Sequence, residues 1–309
     1  MFKLPAQIPT PEDSIEVLAD YLEFECIKDG NVAILGKINQ LLLQNDEILI
    51  EGVEDETDEA LAKIEAIAQE IQRRQEISRY QYPFVLSNNG YTLTVRRDKL
   101  AYWVYVYLLL STRLNMNTHK VWNHIDGTEI LEQLSAIVAQ NYFGTRSQSL
   151  VFGTAAAGGF EKKINDLCQK IGEGKKFEKR DKLPITQKDD RLDVVVWTDF
   201  TDKRWSKLIG FGQCKTGTTF DDQATIELQP DQFCQKWFLD SPVVAPVKMF
   251  FCSQYYPLDT YSKSTNAGLV FDRMRIMDFL PAQIDLNLEK KIVSWCTAAI
   301  DFVNKYPNL

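Results

Sequence analysis

"RLDVVVWTDFTDKRWSKLIGFGQCKTG", residues 191 to 217, decides how the chain is read. Two apolar runs flank a short polar turn through "DFTDKR". The first run, "DVVVW" from Asp193, is rich in β-branched residues. The second, "KLIGFGQCKTG", carries Gln213 and Lys215 two positions apart. Strand side chains alternate faces, so the amide and the ammonium share one face and Cys214 points to the other, into packing. Paired as a hairpin, the two strands gather Asp193, Gln213 and Lys215 at one end of a sheet. An apolar strand has no packing reason to carry these groups together.

Working outward, residues 151–309 read as an α/β domain with a mixed sheet. "AAAGGFEKKINDLCQKIG" is a helix with Phe160, Ile164, Leu167 and Ile171 on one face. Glu161 stands one residue off that stripe, able to point over the sheet edge. A basic loop follows, with Lys175, Lys176, Lys179 and Arg180 beside Glu178 and Asp181. "QPDQFCQKWFLD" is a helix opening at Pro230 and "VKMFFCSQYY" an apolar strand. "GLVFDRMRIMDFL" reads as a further strand, with Arg273 and Arg275 on one face as a candidate phosphate track. "DLNLEKKIVSWCTAAIDFVNKY" is a closing amphipathic helix.

Residues 1–150 read as mostly helical. Thr10 as cap with Pro11 at the first helical position opens one helix, and a second runs through "NVAILGKINQLLLQN". Between Asn45 and Glu70 stand ten acids against the single Lys63. The helix there puts Leu61, Ile64, Ala68 and Ile71 inward, with the acids as its solvated face. "YPFVLSNNGYTLTV" is a β-hairpin turning at Asn88, Asn89 and Gly90. "TEILEQLSAIVAQNYF" is a helix with Ile130, Leu134, Ile137 and Val138 inward.

The bulk numbers exclude several classes. The 309 residues carry a net charge of −8, so there is no global basic field for nucleic acid or membrane. A local patch or a metal ion must then do that work. The six Cys form no CxxC pair, which argues against a zinc knuckle. His119 and His124 are five apart and share no helical face. The start lacks the apolar core of a secretory signal, and the expectation is a reduced, cytoplasmic protein. The most apolar run, Leu100 to Leu110, is too short to span a bilayer, which takes roughly 20 residues.

Two carboxylates, a carbonyl oxygen and an ammonium suit a hard cation. Mg2+ prefers oxygen ligands, commonly one or two carboxylates with water and substrate phosphate. Asp193 would be the central ligand, with Glu161, the Gln213 side-chain oxygen or the backbone carbonyl of Cys214 completing the shell; Mn2+ is an alternative ion. Lys215 would hold the attacking water or offset charge on phosphorus.

Glu161, Asp193 in "RLDVVVW" and "QCK" at 213–215 resemble the PD-(D/E)XK nuclease superfamily over about residues 154–280. The resemblance implies a restriction-endonuclease-like αβββαβ core, behind a mostly helical N-terminal region. It implies a metal-binding Asp on one strand and (D/E)-X-K on the next. Two departures stand out: Leu192 replaces the Pro, and Gln213 replaces the acid. The Gln resembles the Q-X-K branch, which includes Mrr-like and bacterial anti-phage effector nucleases, where a helix Glu can supply the missing charge.

Two functions follow. The first is a Mg2+-dependent endonuclease on DNA, double-stranded by preference, in bacterial defence or restriction. Its basic loop (Lys175, Lys176, Lys179, Arg180) would contact phosphates. The second is a nuclease-like module without catalysis that binds nucleic acid or scaffolds a complex. No P-loop is present, so an ATP-driven step would come from a sensor or ATPase/helicase partner. The helical first half, with its acidic face, is the region for homodimerisation or partner docking.

Overall fold

The Val-rich run pairs with the run after it, as the hairpin reading expected. In the computed structural model, Val194–Thr198 (β7) lies antiparallel to Leu208–Lys215 (β8), with Val194 opposite Gly212 and Thr198 opposite Leu208. The structure describes all residues except 1, 6, 11, 35, 39–40, 42–53, 80, 88–90, 98–99, 154–157, 181–189, 219–223, 257–264 and 306–309. The chain divides into two units. The first comprises Met1–Ile125 with Arg273–Asp278 and Asp285–Leu309; the second comprises Asp126–Asp272 with Phe279–Ile284. The expected boundary after residue 150 is therefore corrected. The helix and strand before it fold with the second unit, and the closing helix returns to the first.

In the first unit Ile15–Asp29 (α1) begins later than expected. Ser14 occupies its N-cap position without a side-chain cap bond, and the Asp13 N–H donates to the Thr10 carbonyl ahead of it. Asn31–Ala33 (β1) is a strand, where a helix was expected from Asn31. Glu54–Ile77 (α2) buries Ile64, Ile67 and Ile71, whereas Leu61 is exposed. Glu70 is also buried, so the acidic face is not wholly solvated. Phe84–Ser87 (β2) and Thr92–Val95 (β3) pair antiparallel, and β3 also pairs with β1. The expected turn at Asn88–Gly90 lies outside the described residues. Leu100–Arg113 (α3) buries nearly every side chain, as its all-round apolar sequence requires. Val121–Trp122 (β4) and Ile125–Asp126 (β5) form a short two-stranded ladder.

The second unit starts with Gly127–Phe143 (α4), capped by Asp126, whose carboxylate accepts from the Thr128 N–H and hydroxyl. Ser147–Val151 (β6) follows, then Phe160–Ile171 (α5), β7, β8, Pro230–Trp237 (α6), Val247–Cys252 (β9) and Leu269–Phe271 (β10). The sheet order is β10-β9-β8-β7-β6. β6, β7 and β8 run antiparallel in turn; β9 and β10 are parallel to β8. The fold is α/β around a mixed five-stranded sheet. One sheet face (Val195, Trp197, Ile209, Phe211) packs on Phe160, Ile164 and Leu167 of α5 and Phe233 and Trp237 of α6. The α4 helix approaches the other face. There a Cβ at Gly210 would fall 2.8 Å from the Phe143 ring. Glycine admits that close contact.

Past β10 the expected strand does not continue. Arg273–Asp278 (α7) is a helix and belongs to the first unit, which Leu286–Lys305 (α8) completes. Arg273 is fully buried against Asp20, so it lines no phosphate track.

Candidate active site

Asp193 stands one residue before β7, and its N–H donates to the Gly212 carbonyl at 2.9 Å. Extending the ladder by that step brings Asp193 level with Gln213. Its carbonyl accepts from the N–H groups of Phe152 and Gly153 at 2.7 and 3.0 Å. Its carboxylate Oδ2 accepts from the Cys214 N–H at 2.7 Å. Asp193 is thus fixed from both neighbouring strands. Of Cys214 it is the N–H, not the carbonyl, that the structure engages with Asp193.

Gly153 shows what faces Asp193. A Cβ there would lie 2.7 Å from Asp193 Oδ1 and 2.8 Å from Glu132 Oε1, so the two carboxylates bracket one point. Glu132 is on α4 and buried. Lys163 of α5, also buried, donates to the carbonyls of Phe152 and Gly153 at 3.1 and 2.8 Å and pins the backbone that separates the two acids. The Cys214 thiol reports the same cluster: burial pushes it well up, and the Asp193 and Glu132 charges push it further. A thiol held protonated is no nucleophile at neutral pH, in keeping with a packing role.

On the next strand Gln213 is 2% exposed and Lys215 is half-buried. The Gln213 Nε2 donates to Glu227 Oε2 at 2.7 Å, and Lys215 Nζ lies 3.0 Å from the same oxygen. Arg191 reaches the other Glu227 oxygen at 3.7 Å. Burial works to raise the Glu227 carboxyl, but the hydrogen bonds from Lys215 and Gln213 and the charges of Lys215 and Arg191 outweigh it and hold it below the usual range. The Gln213 Oε1 is buried and has no hydrogen-bond partner among the described residues. Only the NH2 end of an amide can face a carboxylate, so this orientation follows from Glu227.

The structure brings Asp193, Gln213 and Lys215 to one sheet end, as expected. It does not bring Glu161, which is exposed in the first turn of α5 with no described contact to the other three. The helix acid beside Asp193 is Glu132. Both Glu132 and Glu227 escaped the sequence reading. Glu132 is buried on a helix that also buries Ile130, Leu131, Leu134, Ala136, Val138 and Ala139, while the Ile137 expected inward is only half-buried. Glu227 left no signal, because its role depends on a loop fold.

The basic segment is bridged antiparallel to the C-terminal end of α6. Phe177 pairs with Phe238, and the Leu239 N–H donates to the Lys176 carbonyl. Lys175 pairs with Asp240 at 2.6 Å, and Arg180 donates to the Leu239 carbonyl at 3.4 Å. Glu227 precedes the other end of that helix, which is about 12 Å long at 1.5 Å per residue. The contacts described for Lys175 and Arg180 are thus with the segment that follows α6, not with Gln213 or Lys215.

Among the described residues no group of three or more His, Cys, Asp and Glu side chains is arranged to hold a metal ion. What stands here instead is a pair of carboxylates, Asp193 and Glu132, about Gly153, and on the next strand a buried amide oxygen with a lysine two residues on. An orphaned buried oxygen is costly unless something meets it. A hard cation would. Compared with known proteins, the chain matches no family model, no curated protein and no solved structure. No described helix is long and apolar enough to cross a membrane.

Proposed function

We propose that the chain is a metal-dependent endonuclease that hydrolyses DNA phosphodiester bonds at the Asp193 end of the sheet. The observation that carries this reading is the buried, unpartnered Gln213 oxygen level with Asp193, on the strand that presents Lys215 two residues on. The element order α4-β6-β7-β8-α6-β9 supports the resemblance to the PD-(D/E)XK core, with α5 as an insertion and Glu132 in place of Glu161 as the helix acid. Asp193, Glu132 and Gln213 Oε1 would hold Mg2+ or Mn2+. Such an ion lowers the pKa of bound water and offsets phosphate charge. Lys215 would hold water or stabilise charge on phosphorus, and the Cys214 N–H orients the Asp193 carboxylate.

Double-stranded DNA as substrate, a bacterial defence setting, a sensor or ATPase/helicase partner and a homodimer rest on the resemblance and on the helical first half. Six free cysteines suit a reducing, cytoplasmic setting. A second reading, a nucleic-acid-binding module without catalysis, draws on the absence of a three-acid ligand group among the described residues and on the Lys215–Glu227 pairing.

The test is plasmid cleavage with Mg2+ or Mn2+, comparing wild type with Asp193→Ala and Lys215→Ala. The expected result is nicking by wild type and a loss of roughly 100-fold or more in each variant, the scale of removing a stabilising group from a charged transition state. Cleavage that survives both substitutions overturns the site. Metal and DNA binding without cleavage by wild type favours the binding module.

A further inference from the structure

We propose that Glu227 is a positioning residue that restores to Gln213 the negative charge missing from the strand, so that Gln213 and Glu227 act together as one split acid ligand. The proposal rests on the metal-site reading above. Three observations carry it. Gln213 Nε2 donates to Glu227 Oε2 at 2.7 Å, which commits the NH2 end of the amide to the carboxylate. The other end, Oε1, is thereby turned away from Glu227; it is buried and meets no partner among the described residues. Glu227 itself is held in place. Leu228 beside it is buried in the core between sheet and helices, Thr225 is buried, and Gln229 Nε2 donates to the Ile226 carbonyl at 2.7 Å.

The electrostatics follow from this geometry. A carboxylate accepting from an amide N–H draws density toward the amide oxygen and makes it a stronger donor to a cation. Metal-bound His ligands are tuned by second carboxylates in the same way. A neutral glutamine then presents part of the charge of the Glu behind it. Glu227 Oε2 also receives Lys215 at 3.0 Å, so one oxygen sets both the amide and the ammonium of the strand. Arg191, two residues before Asp193, meets the second oxygen and links the Asp193 strand to the same anchor. A metal approaching Oε1 breaks none of these bonds.

Mn2+ binding by titration calorimetry on the full chain tests this, with the melting temperature of the metal-free protein as the control for folding. Glu227→Ala and Glu227→Gln are expected to weaken Mn2+ binding about tenfold to a hundredfold, the usual effect of removing such a supporting group. Glu227→Gln, which keeps an acceptor for Gln213, should move the melting temperature little, because the Lys215–Glu227 pair is partly exposed and screened, whereas Glu227→Ala also strands the buried Gln213 amide and lowers it by a few degrees. The decisive variant is the swap, Gln213→Glu with Glu227→Gln. It returns the acid to the strand and leaves an amide behind it, and should recover Mn2+ binding to at least the wild-type level. Wild-type affinity in Glu227→Ala, or a swap no better than Glu227→Gln alone, overturns the role of Glu227. Asp193→Ala separates this from failure of the underlying site. If Asp193→Ala loses Mn2+ while Glu227→Ala keeps it, only the present proposal falls. If Asp193→Ala binds Mn2+ like wild type, the metal site falls and takes the role of Glu227 with it.

Discussion

Each unit buries a cluster of charges, and the two clusters are finished differently. In the first unit Asp20 accepts from Arg74 at 2.8 Å, from Arg113 at 2.8 and 2.6 Å and from Arg273 at 2.8 and 3.0 Å. Glu23 accepts from Arg74, Tyr82 and Tyr105, and Glu70 from Arg74 at 2.7 Å. Guanidinium forks and phenols meet the acids until the set is closed. In the second unit the carboxylates of Asp193 and Glu132 converge over a glycine, and the oxygen of Gln213 is left with no described partner. A closed buried network holds a fold in one arrangement. In the second cluster, the open oxygen is the one the proposed metal would meet.

That difference breaks if substitutions act alike in the two clusters. Arg74→Ala leaves Asp20 and Glu23 buried with less compensation, and should cost about 3–5 kcal/mol in urea unfolding. Lys215→Ala removes a half-exposed pair and should cost less than about 1 kcal/mol, although cleavage is lost. Equal losses of stability would make the second cluster structural too.

Gly153 sharpens the contrast. Gly153→Ala places a Cβ within 2.8 Å of both carboxylates, which must part. The expected cost is about 1–3 kcal/mol of stability, with Mn2+ binding weakened at least about tenfold. Unchanged Mn2+ affinity in a folded Gly153→Ala protein would remove Glu132 from the proposed ligand set.

The sequence made the β7–β8 hairpin readable because it is local: two apolar runs and a short turn place Asp193, Gln213 and Lys215 by parity. The rest depends on distant contacts. The run at 269–275 alternates well enough to pass for a strand throughout. Arg273 nevertheless turns into a helix, because its partner Asp20 lies 253 positions earlier. The helix acid was sought just before β7, where α5 has an amphipathic face of the right kind; the helix acid the structure sets beside Asp193 comes from α4, beyond the expected boundary. Glu132 and Glu227 come from a helix and a loop whose distance from Asp193 no spacing rule encodes.

pH gives the smallest and most graded comparison. Burial raises the Asp20 carboxyl, but the charges of Arg113, Arg273 and Arg74 dominate and hold it far below the usual range. Its contribution is therefore present above the unfolded carboxyl value of about 4 and is lost as pH falls below it. Glu23 opposes this in part, since burial pushes its carboxyl up despite Arg74. At the alkaline end both units hold raised groups. Burial pushes the thiols of Cys26 and Cys168, one in each unit, up to about 12. A raised thiol value contributes stability below the unfolded value of about 8.5, and that contribution is lost as pH climbs toward 12. Amide hydrogen exchange should accordingly show α1, α2 and α3 losing protection before β7 and β8 at pH 3. Acid loss that begins in β7 and β8 would mean that the arginine network is not what sets the acid limit of the fold.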